Sequence, residues 1–455
     1  MKKTLPGFIK IFSITVLSIF IVSCNELISS NDTSCPVDNT VYASECELEE
    51  IAEAGFVNYK IARYYALGAL ENFQDDPIFK EGELSKFPVI IYNSQTNLPR
   101  YYEFKVLNNK IPVAGITCVA TKGEGLPVKY VLPYSKTVEN SQARAVAAGN
   151  AKFVDTGYPS KLVIKGSASL RSATDENDAE KELSILEVLE TFSEEELQEL
   201  NLADKSVQED VKAEVREEQQ KIAEIWNQID EVSENIINLT EEELMEIYFS
   251  EETERKIIYN DYSIKSVFKL ENWIPKSNWY QPEGIFCGPS TVAFIMLELG
   301  KNKCKGYDGT IPDVEEIDDL NNYYATVEKQ IGKGPKTFGI LSSRLFKYTN
   351  GNYKLESCKH SHSVILEHME SEGLPCVSLR CGKSSSSKAF HYRTVLGLKT
   401  EKVRTILKVF GYKKTLLSWN DHFYWMHDNG ADGENFYENA NKLYEISACK
   451  LVKVQ

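Results

Sequence analysis

The chain has 455 residues, of which 42% are hydrophobic and 26% charged, and a formal net charge of −16. That length exceeds one ordinary hydrophobic core and points to two or three domains of globular composition. The negative balance argues against nucleic-acid binding and against attachment to an anionic lipid surface, because both would repel the chain.

Lys2 and Lys3 precede an apolar run from Phe8 to Val22. The run is short for a spanning helix and has the layout of a secretory signal. Its end, Ile21-Val22-Ser23-Cys24, resembles the bacterial lipoprotein cleavage box. The resemblance implies removal of residues 1–23 and lipidation of the Cys24 thiol. Acyl chains would then anchor the protein in the bacterial cell envelope, on the periplasmic side or the cell surface. An uncleaved N-terminal anchor helix is the alternative. Export also places the 10 cysteines in an oxidising compartment, although their pairing is not readable from spacing.

Residues 24–45 are polar and read as a tether. Residues 46–165 read as an α+β domain. A helical pattern runs from Glu45 to Phe73, and strand-like runs follow at 87–92, 101–107, 111–120 and 127–132, with Asn108-Asn109 as a hairpin turn. Residues 166–260 begin with a polar linker, Gly166 to Asp178, and continue as acidic amphipathic helices. Thr191-Phe192-Ser193-Glu194-Glu195-Glu196 and Leu239-Thr240-Glu241-Glu242-Glu243 read as helix starts, with a hydroxyl cap and early acids. Residues 261–455 form the last domain, and all six histidines lie beyond residue 359.

The chemistry concentrates in that last domain. Gln281-Pro-Glu-Gly-Ile-Phe-Cys287-Gly288-Pro289 is a polar loop running into an apolar helix. Cys287 stands at the helix mouth, where unsatisfied amides and the positive dipole end stabilise a thiolate, the attacking species. Gly288 leaves room for a substrate to approach, and Pro289 suits the first turn. Gln281 offers a side-chain amide to the oxyanion that forms when a thiolate attacks a carbonyl. The buried strand after Glu372 leads to Phe390-His391-Tyr392, a second strand opening with the candidate base. The strand ending His427-Asp428-Asn429 supplies a residue to orient that imidazole. Adjacent strand residues point to opposite faces, so either Asp428 or Asn429 serves, with Asp428 preferred. His422 and His427 are alternative bases. His360, His362 and His368 read as surface residues. The sequence contains no paired CxxC units, and His360-Ser361-His362 has no obvious carboxylate partner, so no metal and no organic cofactor are implied.

The order Gln281, Cys287-Gly288-Pro289, His391, Asp428/Asn429 resembles papain-like cysteine peptidases. It is most similar to the type that processes bacteriocin leaders, with Gln six positions before Cys-Gly-Pro. Gly373-Leu-Pro-Cys-Val and His391-Tyr-Arg-Thr-Val-Leu-Gly397 resemble that family's strands, over about residues 273–455. The resemblance implies a papain-like fold, in which the Cys helix packs on an antiparallel sheet. It also implies hydrolysis of a peptide or protein substrate through a Cys-His-Asp/Asn site. Residues 46–165 resemble, at fold level, the pro-domain of streptopain-like peptidases, which implies an intramolecular inhibitor and a zymogen. Two rivals accompany this reading. One is a same-fold amidase or acyl transferase, and the other is a non-catalytic surface binding protein with a degenerate peptidase domain.

Overall fold

The computed structural model of the chain describes residues 42–74, 76–93, 96–134, 151–155, 161–164, 181–200, 202–244, 257–270, 287–299, 338–383, 388–409, 412–428, 434–440, 443–444 and 447–454. The expected signal at 1–23, Cys24, most of the expected tether, the expected linker at 166–178, Gln281 and Asn429 lie outside the described residues. Among the described residues, no helix is long and apolar enough to cross a membrane.

The helical pattern from Glu45 is interrupted once. Helix α1 (Glu45–Glu53) is capped by Ser44, whose hydroxyl accepts from the Glu47 amide. It ends at Gly55, which adopts φ +93°, a conformation a side chain would strain. Helix α2 (Tyr59–Asn72) restarts on Asn58, whose side chain accepts from the Lys60 amide at 2.9 Å. Nearly every residue of α2 is buried, the mark of a helix enclosed on all sides. Four strands follow a short β1 (Glu83–Leu84): β2 (Val89–Asn93), β3 (Pro99–Asn108), β4 (Ile111–Val119) and β5 (Val128–Pro133). The turn between β3 and β4 sits one residue later than expected. Asn108 pairs with Ile111, and Asn109 and Lys110 take positive φ, the requirement of a two-residue primed turn.

After β6 (Ala151–Asp155), β7 (Lys161–Ile164) and β8 (Lys181–Leu183), the acidic segment forms α3 (Ile185–Thr191), α4 (Glu194–Glu199) and α5 (Lys205–Ile237). Ser193 and Glu196 make the expected reciprocal cap of α4, and Thr240 and Glu243 make another. The 33-residue α5 buries one stripe, from Val215 through Ile225, Trp226 and Ile229 to Ile236. Trp226 donates to the Gly125 carbonyl at 2.8 Å, and Lys122 meets Asp230 at 2.6 Å, so α5 lies against the first segment. Glu241, just beyond α5, takes both guanidinium nitrogens of the buried Arg63 at 2.5 and 2.7 Å.

The last segment supplies β9 (Ile257–Lys269), α6 (Cys287–Glu298), α7 (Phe338–Tyr348), β10 (Tyr353–Cys358), α8 (His362–Glu372), β11 (Cys376–Lys383), β12 (Lys388–Val409), β13 (Tyr412–Asp428), β14 (Glu434–Asn439) and β15 (Ser447–Lys453). The fold is α+β. Its strands join one sheet in the order β10-β15-β11-β12-β13-β14-β5-β4-β3-β2-β6-β7, antiparallel except for β2 with β6. The segments separated by composition meet in this sheet, where Val131 and Tyr130 of β5 pair with Tyr437 and Glu438 of β14. Residues Asp38–Gln455 form one unit by contact. Strand β12 changes partner along its length, from β11 before Val395 to β9 after Gly397. Gly397 stands where a Cβ would lie 2.6 Å from the Phe268 carbonyl oxygen, so the bare backbone permits that switch.

Candidate active site

Helix α6 begins at Cys287 and is strongly apolar; Val292, Phe294, Ile295 and Met296 are all buried. It anchors on β12 and β13. The Thr291 hydroxyl donates to the Tyr392 carbonyl at 3.4 Å, and Phe294 stacks on His427 with ring centroids 4.2 Å apart. Gly288 is closely enclosed. A Cβ there would lie 3.2 Å from both Leu341 methyls and 3.4 Å from the Tyr392 ring, so its smallness serves the packing of α6 against α7 and β12.

This anchoring buries Cys287, which is 6% exposed. Its thiol is close enough to the His391 imidazole on β12 to favour the protonated ring. On its other side the ring donates from Nε2 to Oδ2 of Asp428 at 2.6 Å. The Asp428 carboxylate is fully buried at the end of β13, whereas the His391 side chain is 29% exposed. With Nε2 held by the acid, Nδ1 is the nitrogen left to exchange a proton with sulfur. Burial alone would push the imidazole down. The adjacent Asp428 charge and its hydrogen bond, then the hydrogen bond and charge of Cys287, outweigh burial and lift His391 to about 10. The ring is therefore held as imidazolium at neutral pH, the form that pairs with a thiolate and can later release a proton to a leaving group.

The structure thus brings together Cys287, His391 and Asp428. Gln281 and Asn429 lie outside the described residues. The other histidines have their own surroundings. His427 is fully buried, and its Nδ1 donates to Asn435 Oδ1 at 2.9 Å, which makes it a core residue stacked under α6. His422 lies in a different cluster. The Thr400 hydroxyl sits 3.1 Å from both His422 Nδ1 and His362 Nε2, and those two rings are 4.3 Å apart. The expected surface placement is corrected for His368, which is buried, while His360 and His362 are half-buried. His360 packs edge-on to Tyr424, His362 is pushed down to about 4 by burial and by His360, and His368 is 4% exposed. Among the described residues, no group of three or more His, Cys, Asp or Glu is placed to hold a metal ion.

Sequence reasoning missed a second polar group beside the site. Arg380 on β11 is the cross-strand partner of His391, and Arg393 is two residues further along β12. Both guanidinium groups bind Glu438 of β14, and Lys129 of β5 lies 3.6 Å from the same carboxylate. All four side chains are at most 4% exposed. The available signal was a charged residue set inside each of several apolar strands, which is rarely tolerated without a partner.

No protein-family model matches the chain, and neither any curated protein nor any solved structure matches it.

Proposed function

We propose that this protein is an exported, lipid-anchored cysteine peptidase whose last segment is papain-like. The observation that carries the reading is the chain of contacts from Cys287 at a helix start, through His391, to the buried Asp428 at 2.6 Å. In this reading the Cys287 thiolate attacks the scissile carbonyl carbon and forms a C–S bond while the carbonyl electrons move to oxygen. The oxyanion is met by the Cys287 amide and, as the family resemblance implies, by Gln281. Collapse breaks the C–N bond as the His391 imidazolium gives its proton to the departing amine. Water then attacks the thioester, with neutral His391 taking its proton, and the acid product leaves with sulfur restored. Asp428 holds the ring in one orientation throughout.

The mature protein is incubated with a peptide library and, separately, with iodoacetamide. Wild type is expected to cleave peptides and to alkylate first at Cys287, whereas Cys287→Ala cleaves nothing. Preferential alkylation elsewhere in the folded protein would remove the main support for an enzyme and favour the binding-protein reading. Conversion of substrate to an amide adduct when an amine is added, in preference to hydrolysis, would favour an acyl transferase.

A further inference from the structure

Cys287, Thr291 and Phe294 stand at helical spacings of four and three residues, so they form one stripe along α6. Each level of that stripe meets a strand. At the helix mouth the thiol lies near the His391 imidazole of β12. One turn on, the Thr291 hydroxyl donates to the Tyr392 carbonyl at 3.4 Å, still on β12. A further turn on, the Phe294 ring stacks on His427 of β13, with centroids 4.2 Å apart and planes 25° from parallel. Phe294 and His427 are both fully buried.

His427 is fixed in its turn by the strands beside it. It stands opposite Thr394 of β12 on one side and opposite Asn435 of β14 on the other. Its Nδ1 donates to Asn435 Oδ1 at 2.9 Å, which sets the plane of the ring. Asp428 follows directly, leaves the strand on the opposite face, and accepts from His391 at 2.6 Å. A single residue step therefore separates the contact that holds α6 from the contact that holds the imidazole.

We propose that His427 is a positioning residue for the Cys287–His391 pair: its stack on Phe294 fixes α6 against β13, and with it the approach of the thiol to an imidazole held from the same strand end. This rests on the peptidase reading and extends it to a histidine that takes no part in proton transfer. An aliphatic side chain would fill the same space without a preferred plane, whereas stacked rings favour one offset and separation.

The full chain is compared as wild type, Phe294→Leu, His427→Leu, His427→Phe and Cys287→Ala. Each is titrated by ¹³C-histidine NMR, with His391→Gln to assign the His391 resonance, and urea unfolding is followed in parallel. Widening an ion pair from about 4 to about 5 Å at an effective dielectric of about 20 moves a protonation midpoint by about 0.6 pH unit. Phe294→Leu and His427→Leu should each lower the His391 midpoint by about that amount, because a more distant sulfur charge supports the imidazolium less. His427→Phe keeps a ring against Phe294 and should stay within about 0.2 pH unit of wild type. A midpoint that is unchanged or raised in the leucine variants overturns the inference even if their urea stability falls, since a purely structural residue changes stability without that signed shift. A His427→Phe midpoint as low as that of His427→Leu overturns it too. If His427→Leu does not fold, Phe294→Leu decides alone, because it removes a ring two turns from the sulfur and leaves every proposed reacting group in the chain. Cys287→Ala separates the two levels of the reading. If it lowers the His391 midpoint while the leucine variants do not, the peptidase pair stands and the positioning role falls. If it leaves the midpoint unchanged, the thiol–imidazole pair itself fails and the positioning role falls with it.

Discussion

Replacing Asp428 with Asn tests the charge arrangement at its centre. The substitution keeps the shape and a hydrogen-bonding oxygen but removes the negative charge 2.6 Å from His391 Nε2. An opposite charge at that range typically raises an imidazole by about one to three pH units, worth about 1.4–4 kcal/mol at about 1.4 kcal/mol per unit. The His391 titration, at about 10 in the wild type, should therefore fall to about 7–9 in Asp428→Asn. The sign follows from linkage. His391 in the folded protein holds its proton above the ordinary 6.5. Its contribution is thus fully present below about pH 6.5 and is lost as pH rises through about 10. The stability gap between wild type and Asp428→Asn should narrow over that window. The assay is ¹³C-histidine NMR titration, with His391→Gln to assign the resonance, alongside urea unfolding at several pH values. A wild-type His391 that titrates near the free-histidine value, or a variant with an unchanged midpoint, would refute the ion-pair argument.

Asp421 and Glu401 face each other across the β12–β13 ladder, both buried, and burial followed by the Glu401 charge pushes Asp421 up to about 7. Its proton-linked stability is present below the ordinary 3.8 and lost as pH rises through about 7; the melting temperature should fall across that window in wild type and fall less in Asp421→Asn. Gly288→Ala adds a methyl 3.2 Å from Leu341 and should cost about 1–3 kcal/mol in urea unfolding, with slower Cys287 alkylation as the helix start shifts. Trp226→Phe loses the 2.8 Å bond to the Gly125 carbonyl and should cost about 1–3 kcal/mol; an unchanged midpoint would mean that α5 is held by its apolar stripe alone.

Much of the site was legible because local rules and chemistry coincide there. An apolar helix opening on Cys-Gly-Pro, a strand starting near His391 and a strand ending at Asp428 each carry their own pattern, and the fold brings their ends together. The joined sheet was not legible. Its link is a two-residue pairing, Tyr130 and Val131 with Glu438 and Tyr437, and no periodicity encodes which edge a strand will meet. The Gly55 break was hidden because apolar spacing continued through it, and the β3–β4 turn slipped by one residue because Asn108 and Asn109 are equally good turn formers. The histidines at 360–368 were misplaced for a related reason. Around His360 and His362 the sequence is polar, and the groups that partly cover them, Thr400, His422 and Tyr424, come from far along the chain, whereas His368 lies near Lys450 and Leu451.

Two buried acids on neighbouring strands show how neighbouring charge either adds to burial or overrides it in this sheet. Burial pushes Asp421 and Glu438 in the same direction, toward the neutral form. For Asp421 burial is the larger cause and the Glu401 charge adds to it, so the carboxyl rises to about 7. Glu438 meets Arg380, Arg393 and Lys129, and their combined charge overrides burial and brings it down to about 2. The same competition governs His391, where burial is opposed by Asp428 and the ring stays cationic.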